Sequence, residues 1–272
     1  MMQKKIIISF LYRIKTKLFW TVDRVVGRLK SEYIDIPVLN ADCKILILAP
    51  HSDDEWIGCS QIIKDNTDVL ICNMDMDGGD TQEIHAIRYQ EMKSLANKYH
   101  RPFSTVNANN RECGLLKIVQ DYRPEIIFLP FFMDWHEEHV QVMNVLKSVS
   151  ASVKGFQIGM YPVSLPMLPN FITHFRPLNK TALKAKWDEF LNVYKTQTFI
   201  PWKRFLANER INGAYLNQYA AEVYSIIPVE QWIKLLDNHL LTDEQKKCLK
   251  GNLNKISKVR KMMSLFYAAK EA

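Results

Sequence analysis

Ile45–Leu46–Ile47–Leu48–Ala49–Pro50–His51–Ser52–Asp53–Asp54–Glu55 decides the fold, because here an apolar run breaks directly into a histidine and three acids. Consecutive β-favouring aliphatics read as a strand buried on both faces. Pro50 cannot donate to a ladder, so the acids lie where the strand gives way to loop. In open α/β sheets ligands bind at such carboxyl ends. His51 and Asp54 can reach one cation between them, which leaves Asp53 to handle a proton. A mixed nitrogen and oxygen donor set suits zinc, whose catalytic form keeps an exchangeable water beside three protein ligands. The same residues also read as a solvated acidic turn in which Asp53 caps the next helix.

The pattern recurs. Glu125–Ile126–Ile127–Phe128–Leu129 reads as a second buried strand, followed after Pro130–Phe131–Phe132–Met133 by Asp134–Trp135–His136–Glu137–Glu138–His139. Asp134 and Glu137 have the spacing of a capping box, and Val140, Met143, Leu146 and Val149 continue an apolar helical stripe behind it. His136 and His139 then share a face of the first turn. In all, five strands are expected, at Lys44–Ala49, Asp68–Asn73, Phe103–Val106, Glu125–Leu129 and Gln157–Val163, with helical patterns between them. Alternating strands and helices predict an α/β fold: a Rossmann-like, doubly wound, mostly parallel sheet with helices on both faces, plus helical N- and C-terminal extensions. Tyr161–Asn170, with Pro162, Pro166 and Pro169, reads as a rim or lid loop leaving the fifth strand.

These motifs resemble the LmbE-like, or PIG-L, family of zinc-dependent N-acetyl-sugar deacetylases. The family's Ala-His-Pro-Asp-Asp-Glu stands here as Pro50–His51–Ser52–Asp53–Asp54–Glu55, and its His-Pro-Asp-His as His136–Glu137–Glu138–His139. Between them, Arg88–Tyr89–Gln90–Glu91 matches an Arg-x-x-Glu helix, and Asp77–Gly78–Gly79–Asp80 occupies a Gly-containing loop. Thr196–Gln197 and Ala221–Glu222–Val223–Tyr224 extend the likeness over about residues 44–226. Ser52, Ser60–Gln61 and Glu137–Glu138 depart from the family pattern without removing a ligand.

The resemblance implies Zn2+, or another divalent transition metal such as Fe2+, on His51, Asp54 and His139, with Asp53 as base. It implies that a protonated His136, oriented by Glu138, stabilises the oxyanion, and that Arg88 contacts substrate. The implied reaction is hydrolysis of the acetamide of an N-acetylhexosamine, foremost N-acetylglucosamine in a lipid-linked intermediate of surface-polysaccharide assembly. A small soluble glycoside or antibiotic precursor is the alternative substrate, and a non-catalytic sugar-binding relative the alternative class. Magnesium-dependent phosphoryl transfer fits poorly, since magnesium prefers all-oxygen shells and the chain has no Gly-rich Walker loop. His85, His100, His174 and His239 lie outside both motifs and are expected to carry no chemistry.

Three segments are expected: a basic amphipathic extension over 1–43, a deacetylase-like domain over 44–227, and a helical extension over 228–272 outside the catalytic core, with Thr242 capping one of its helices. The formal charge of +7 is uneven, and the first thirty residues carry Lys4, Lys5, Arg13, Lys15, Lys17, Arg24, Arg28 and Lys30 against Asp23 alone. Ile7, Phe10, Leu11, Ile14, Leu18, Val22, Val25 and Val26 recur at helical spacing beside Phe19 and Trp20. That helix reads as an anchor on an anionic membrane surface, as a helix packed on its own domain, or, least supported, as a nucleic-acid arm. No recognition fold accompanies it, so no nucleic-acid partner is expected. Five widely spaced cysteines suit a reducing, cytoplasmic compartment, and the N-terminal helix adds the expectation of peripheral contact with the membrane's cytoplasmic face.

Overall fold

The computed structural model describes residues 2–29, 36–76, 81–197 and 199–271, so the expected Asp77–Asp80 loop lies outside the described residues. In chain order its elements are α1 (Met2–Leu29), β1 (Ile45–Ala49), α2 (Asp54–Asp65), β2 (Val69–Asn73), α3 (Gln82–Lys98), β3 (Phe103–Thr105), α4 (Arg111–Tyr122), β4 (Ile126–Pro130), α5 (Glu137–Ser150) and β5 (Gln157–Tyr161). There follow β6 (His174–Leu178), α6 (Lys180–Val193), α7 (Trp202–Tyr215), β7 (Ala220–Pro228), α8 (Val229–His239), α9 (Asp243–Lys250) and α10 (Ile256–Glu271).

The strands form one mixed sheet in the order β3-β2-β1-β4-β5-β7-β6. The first five are parallel, and β7 runs antiparallel to both β5 and β6. After β3 the chain returns to the far side of β1, so the order reverses between β1 and β4, which pair directly from Ile45↔Ile126 to Ile47↔Phe128. Crossovers that lead away on opposite sides of that point leave a crevice at the carboxyl ends of β1 and β4. Both polar motifs follow those two ends.

The unbroken apolar reading of β1 has a structural cause. Leu46 and Leu48 enter one buried cluster with Val119 of α4, Leu146 of α5, Trp232 of α8 and Met263 of α10. Ile45, Ile47 and Ala49 enter another with Ile62 of α2, Leu95 of α3 and Trp187 of α6. With both faces covered there is no position at which a polar side chain could alternate. This layering is consistent with the expected doubly wound arrangement. The segment after 228, expected outside the catalytic core, contributes Trp232, Leu236, Val259 and Met263 to the first cluster. Thr242 caps α9 through a capping box with Gln245, as its sequence predicts.

Helix α1 packs on α7 and α10. Trp20 Nε1 donates to the Asn254 carbonyl at 3.0 Å, the Ser257 amide donates to Asp23 Oδ2 at 3.2 Å, and Gly27 lies against the Tyr215 ring. Among the described residues, no helix is long and apolar enough to cross a membrane.

Candidate functional site

After β1 the chain turns through Pro50–Asp53 and enters α2, whose first residue is Asp54. The turn folds the Asp54 carboxylate back over His51: Oδ2 accepts from the His51 amide at 3.1 Å and lies 3.2 Å from His51 Nδ1. From the other strand end, His139 in the first turn of α5 places Nε2 3.3 Å from the same oxygen. Around a tetrahedral zinc with ligands at about 2.0–2.1 Å, neighbouring donor atoms stand about 3.3 Å apart. Asp54 Oδ2 stands at that distance from one nitrogen of each histidine, and donor nitrogens of His51 and His139 lie within 4.8 Å of each other, which places the three around a volume of cation size. A looser set also exists, since donor nitrogens of His51, His136 and His139 all lie within 4.8 Å of one another. His136 stacks on His139 with ring centroids 4.9 Å apart, and its Nδ1 sits 2.7 Å from Glu138 Oε2. Among the described residues, its second nitrogen makes no hydrogen bond.

Asp53 occupies the cap position of α2, yet its side chain makes no capping hydrogen bond. It is buried and lines the same cavity as the three histidines. The sequence alternative of Asp53 as a simple helix cap thus lacks the bond that would define it.

Asp134 behaves differently from its sequence reading. Helix α5 begins one residue after His136, so the expected Asp134–Glu137 capping box does not form, and Glu137 instead accepts from Lys246 Nζ at 2.8 Å. The buried Asp134 carboxylate accepts from the His136 amide at 2.9 Å and contacts His139 Nδ1 at 3.0 Å. A carboxylate on the far nitrogen of a ligating histidine fixes its tautomer and ring plane. The cue was an acid five residues before His139, behind a strand end.

Burial alone would lower the affinity of the His139 ring for a proton, but the carboxylates of Asp134 and Asp54 outweigh it and push the pKa up to about 10. Burial would raise Asp54 and Asp134, yet the His139 charge and hydrogen bonds hold both below the usual carboxylate range. The cluster is built to hold positive charge. Among the described residues, no lysine or arginine forms an ion pair with either acid, although the Arg204 charge is felt at Asp134.

Helix α2 is held in place by a second buried group. At Cys59 its backbone leaves helical angles, which releases the Ser60 and Gln61 amides from the helical ladder. Both donate to Glu222 of β7, at 3.1 and 2.9 Å, and the Ser60 hydroxyl adds a bond of 2.6 Å. Lys186 Nζ lies between Glu222 and Glu209 and also donates to the Ile57 carbonyl at 2.7 Å. Gly58 lets the helix approach β5 here, because a Cβ would fall 2.1 Å from the Tyr161 ring. Next to Asp54, burial pushes the Glu55 carboxyl up to about 8 against the hydrogen bond from Tyr194.

The cavity over the histidines measures about 370 Å3, within the range of roughly 300–1,000 Å3 usual for small-ligand sites. Arg88 is on its wall. With the Gln197 amide oxygen turned toward it, the Arg88 guanidinium donates at 2.9 and 3.0 Å. One turn along α3, Glu91 accepts from the Thr196 amide at 3.0 Å and its hydroxyl at 2.5 Å. The Arg-x-x-Glu pair thus clasps the Thr196–Gln197 pair. Val163 and Ser164 of the expected rim loop also line the cavity, whereas Phe199, Ile200 and Pro201, then Arg204 and Phe205 of α7, were not anticipated. Burial pulls the Arg204 guanidinium down to about 10, and its Nη2 reaches the Ser164 carbonyl at 3.4 Å. No motif surrounds Arg204, so only its place in the fold could have revealed it. His85, His100, His174 and His239 do not line the cavity.

No family model matches the chain, and no curated protein does. Solved structures do match. A conserved protein of Thermus thermophilus is 18% identical with a TM-score of 0.54, over 67% of this chain and 94% of that one. The deacetylase of the antimicrobial A40926 pseudoaglycone is 11% identical with a TM-score of 0.52, over 68% and 97%. Teicoplanin deacetylase, in a zinc-inhibited form, is 11% identical with a TM-score of 0.50, over 67% and 97%. At these identities the likeness establishes a shared fold.

Proposed function

We propose that this protein is a metal-dependent deacetylase of the LmbE-like kind, hydrolysing the acetamide of an N-acetylated amino sugar in a glycoconjugate. The observation that carries the reading is the meeting of His51, Asp54 and His139 on one point, from two strand ends either side of the sheet's reversal, beside the buried Asp53. His51, Asp54 and His139 would hold a divalent cation, with Asp134 orienting His139 from behind. Such a cation supplies an acidified water and polarises an amide carbonyl. Asp53 accepts the proton of the attacking water and returns it to the departing amine nitrogen. His136, held at Nδ1 by Glu138, donates from its other nitrogen to the oxygen on which charge develops. Arg88, fixed against Gln197, presents its charge to the sugar's hydroxyls.

Zinc remains first among the metals, on the nitrogen and oxygen donor set. The zinc-inhibited state of the teicoplanin enzyme separates zinc binding from zinc activation, so iron(II) belongs in any activity assay. For substrate, deacetylases of antibiotic glycosides among the similar folds support a small glycoside or antibiotic precursor over the lipid-linked glycan expected first from sequence. The sugar itself is proposed as N-acetylglucosamine. Acetate release from a panel of N-acetylglucosamine conjugates, soluble and lipid-linked, with zinc or iron(II) supplied, tests both parts. Turnover of small glycosides supports the reading. No release from any member with either metal contradicts the deacetylase assignment.

A further inference from the structure

The sequence left α1 either packed on its domain or lying on a membrane, and the structure shows that one helix has a face for each. The inward face carries Trp20, Asp23 and Gly27, which meet Asn254, Ser257 and Tyr215. The apolar stripe of the sequence is not that face. Ile14, Leu18, Val22, Val25 and Leu29 fall within one side of the helix and are exposed by 49, 62, 49, 50 and 82%. A helix that packed only for its own stability would bury this stripe, since burial of such side chains is what stabilises a docked helix.

Charge identifies the cover. Arg13, Lys17 and Arg24 run along the edge between the packed and apolar faces, and Lys15 flanks the stripe on its other side. Asp23, the helix's one acid, is turned inward to the Ser257 amide, so the outward side carries no negative charge. A second copy docked stripe to stripe would bring these cations together. An anionic lipid surface instead takes the stripe among its acyl chains and the cations at its phosphates.

The basic edge also borders the way into the site. Arg13 and Lys17 line a groove of about 650 Å3 against the start of α7, with Trp20, Trp202 and Lys203. That groove shares Ile200, Pro201 and Arg204 with the cavity above the histidines. No acid lines it among the described residues.

We propose that α1 is an interfacial docking helix that seats the protein on an anionic bilayer, its outward stripe in the lipid and the entrance of the functional site at headgroup level. The test uses full-length protein and needs no substrate, so its outcome is independent of the deacetylase reading. Wild type is sedimented with vesicles of phosphatidylcholine alone or mixed with phosphatidylglycerol. A Leu18→Ser/Val22→Ser double variant and an Arg13→Glu/Lys17→Glu variant are run beside it, with melting curves to show that each is folded. Binding is expected on the mixed vesicles, weakened by salt, and reduced at least about tenfold in either variant. The proposal is overturned if wild type ignores the mixed vesicles at low salt or if both variants bind like wild type. It is also overturned if wild type is a dimer that Leu18→Ser/Val22→Ser converts to monomer.

Discussion

Two buried polar clusters flank helix α2, and they are complementary in one respect. Behind the helix, Glu209 and Glu222 enclose Lys186, so the chain supplies its own cation. In front of it, Asp54 and Asp134 converge with His51 and His139; no lysine or arginine of the described residues comes within ion-pair distance, and Arg204 acts on Asp134 only through its longer-range charge. The first cluster is closed and holds a kinked helix to β7. The second opens on a cavity and has a place for positive charge that a proton or a metal must fill. Burying acids is costly in both places, and the identity of the compensating cation separates a strut from a site.

The largest expected effect comes from removing the built-in cation. Lys186→Met leaves two glutamates facing each other inside the fold and should cost about 3–5 kcal/mol, read as a lowered denaturation midpoint. A variant that is as stable as wild type would mean the strut is not held by this charge. Asp53→Asn should leave stability and metal content in place but reduce turnover by roughly 10^2–10^4-fold, because an amide cannot take the water's proton. Hydrolysis by that variant at the wild-type rate would return Asp53 to a structural part. His136→Ala should lower kcat by about 10^2–10^3-fold with smaller effect on metal, and a matching loss of metal would instead favour the three-histidine ligand set.

The smallest effect concerns protons. Without a bound metal, His139 keeps its proton to about pH 10, against 6.5 for a free ring. Because the folded-state value is raised, the resulting stabilisation is complete below pH 6.5 and is lost as pH rises through about 10. A metal must displace that proton, so zinc binding near neutral pH should release about one proton from His139. Titration calorimetry in buffers of different ionisation enthalpy measures it. Proton uptake on metal binding would be incompatible with a charged His139.

The same comparison explains what was legible in the sequence. The β1 and β4 runs and the polar motifs behind them could be read because strand, turn and first helical turn are local, and the sheet order then makes the two ends neighbours. Lys186, Glu209 and Glu222 are separated by 23 and 36 residues along the chain, so nothing local announced their meeting. Strand β6 was missed because His174, Arg176 and Pro177 disguise its inward Phe175 and Leu178, which is tolerable only at a sheet edge. For α1 the periodicity identified a helix but not which face the domain would take. Arg204 and Phe199 enter the cavity from a segment whose position depends on the packing of α7.

Metal content tests the central claim most directly. Wild type and Asp53→Asn, purified after expression with zinc or iron(II) supplied, should each carry about one divalent ion per chain, and His139→Ala almost none, as measured by elemental analysis. Equal metal in wild type and His139→Ala, or none in either, would contradict a metal centre built on His51, Asp54 and His139.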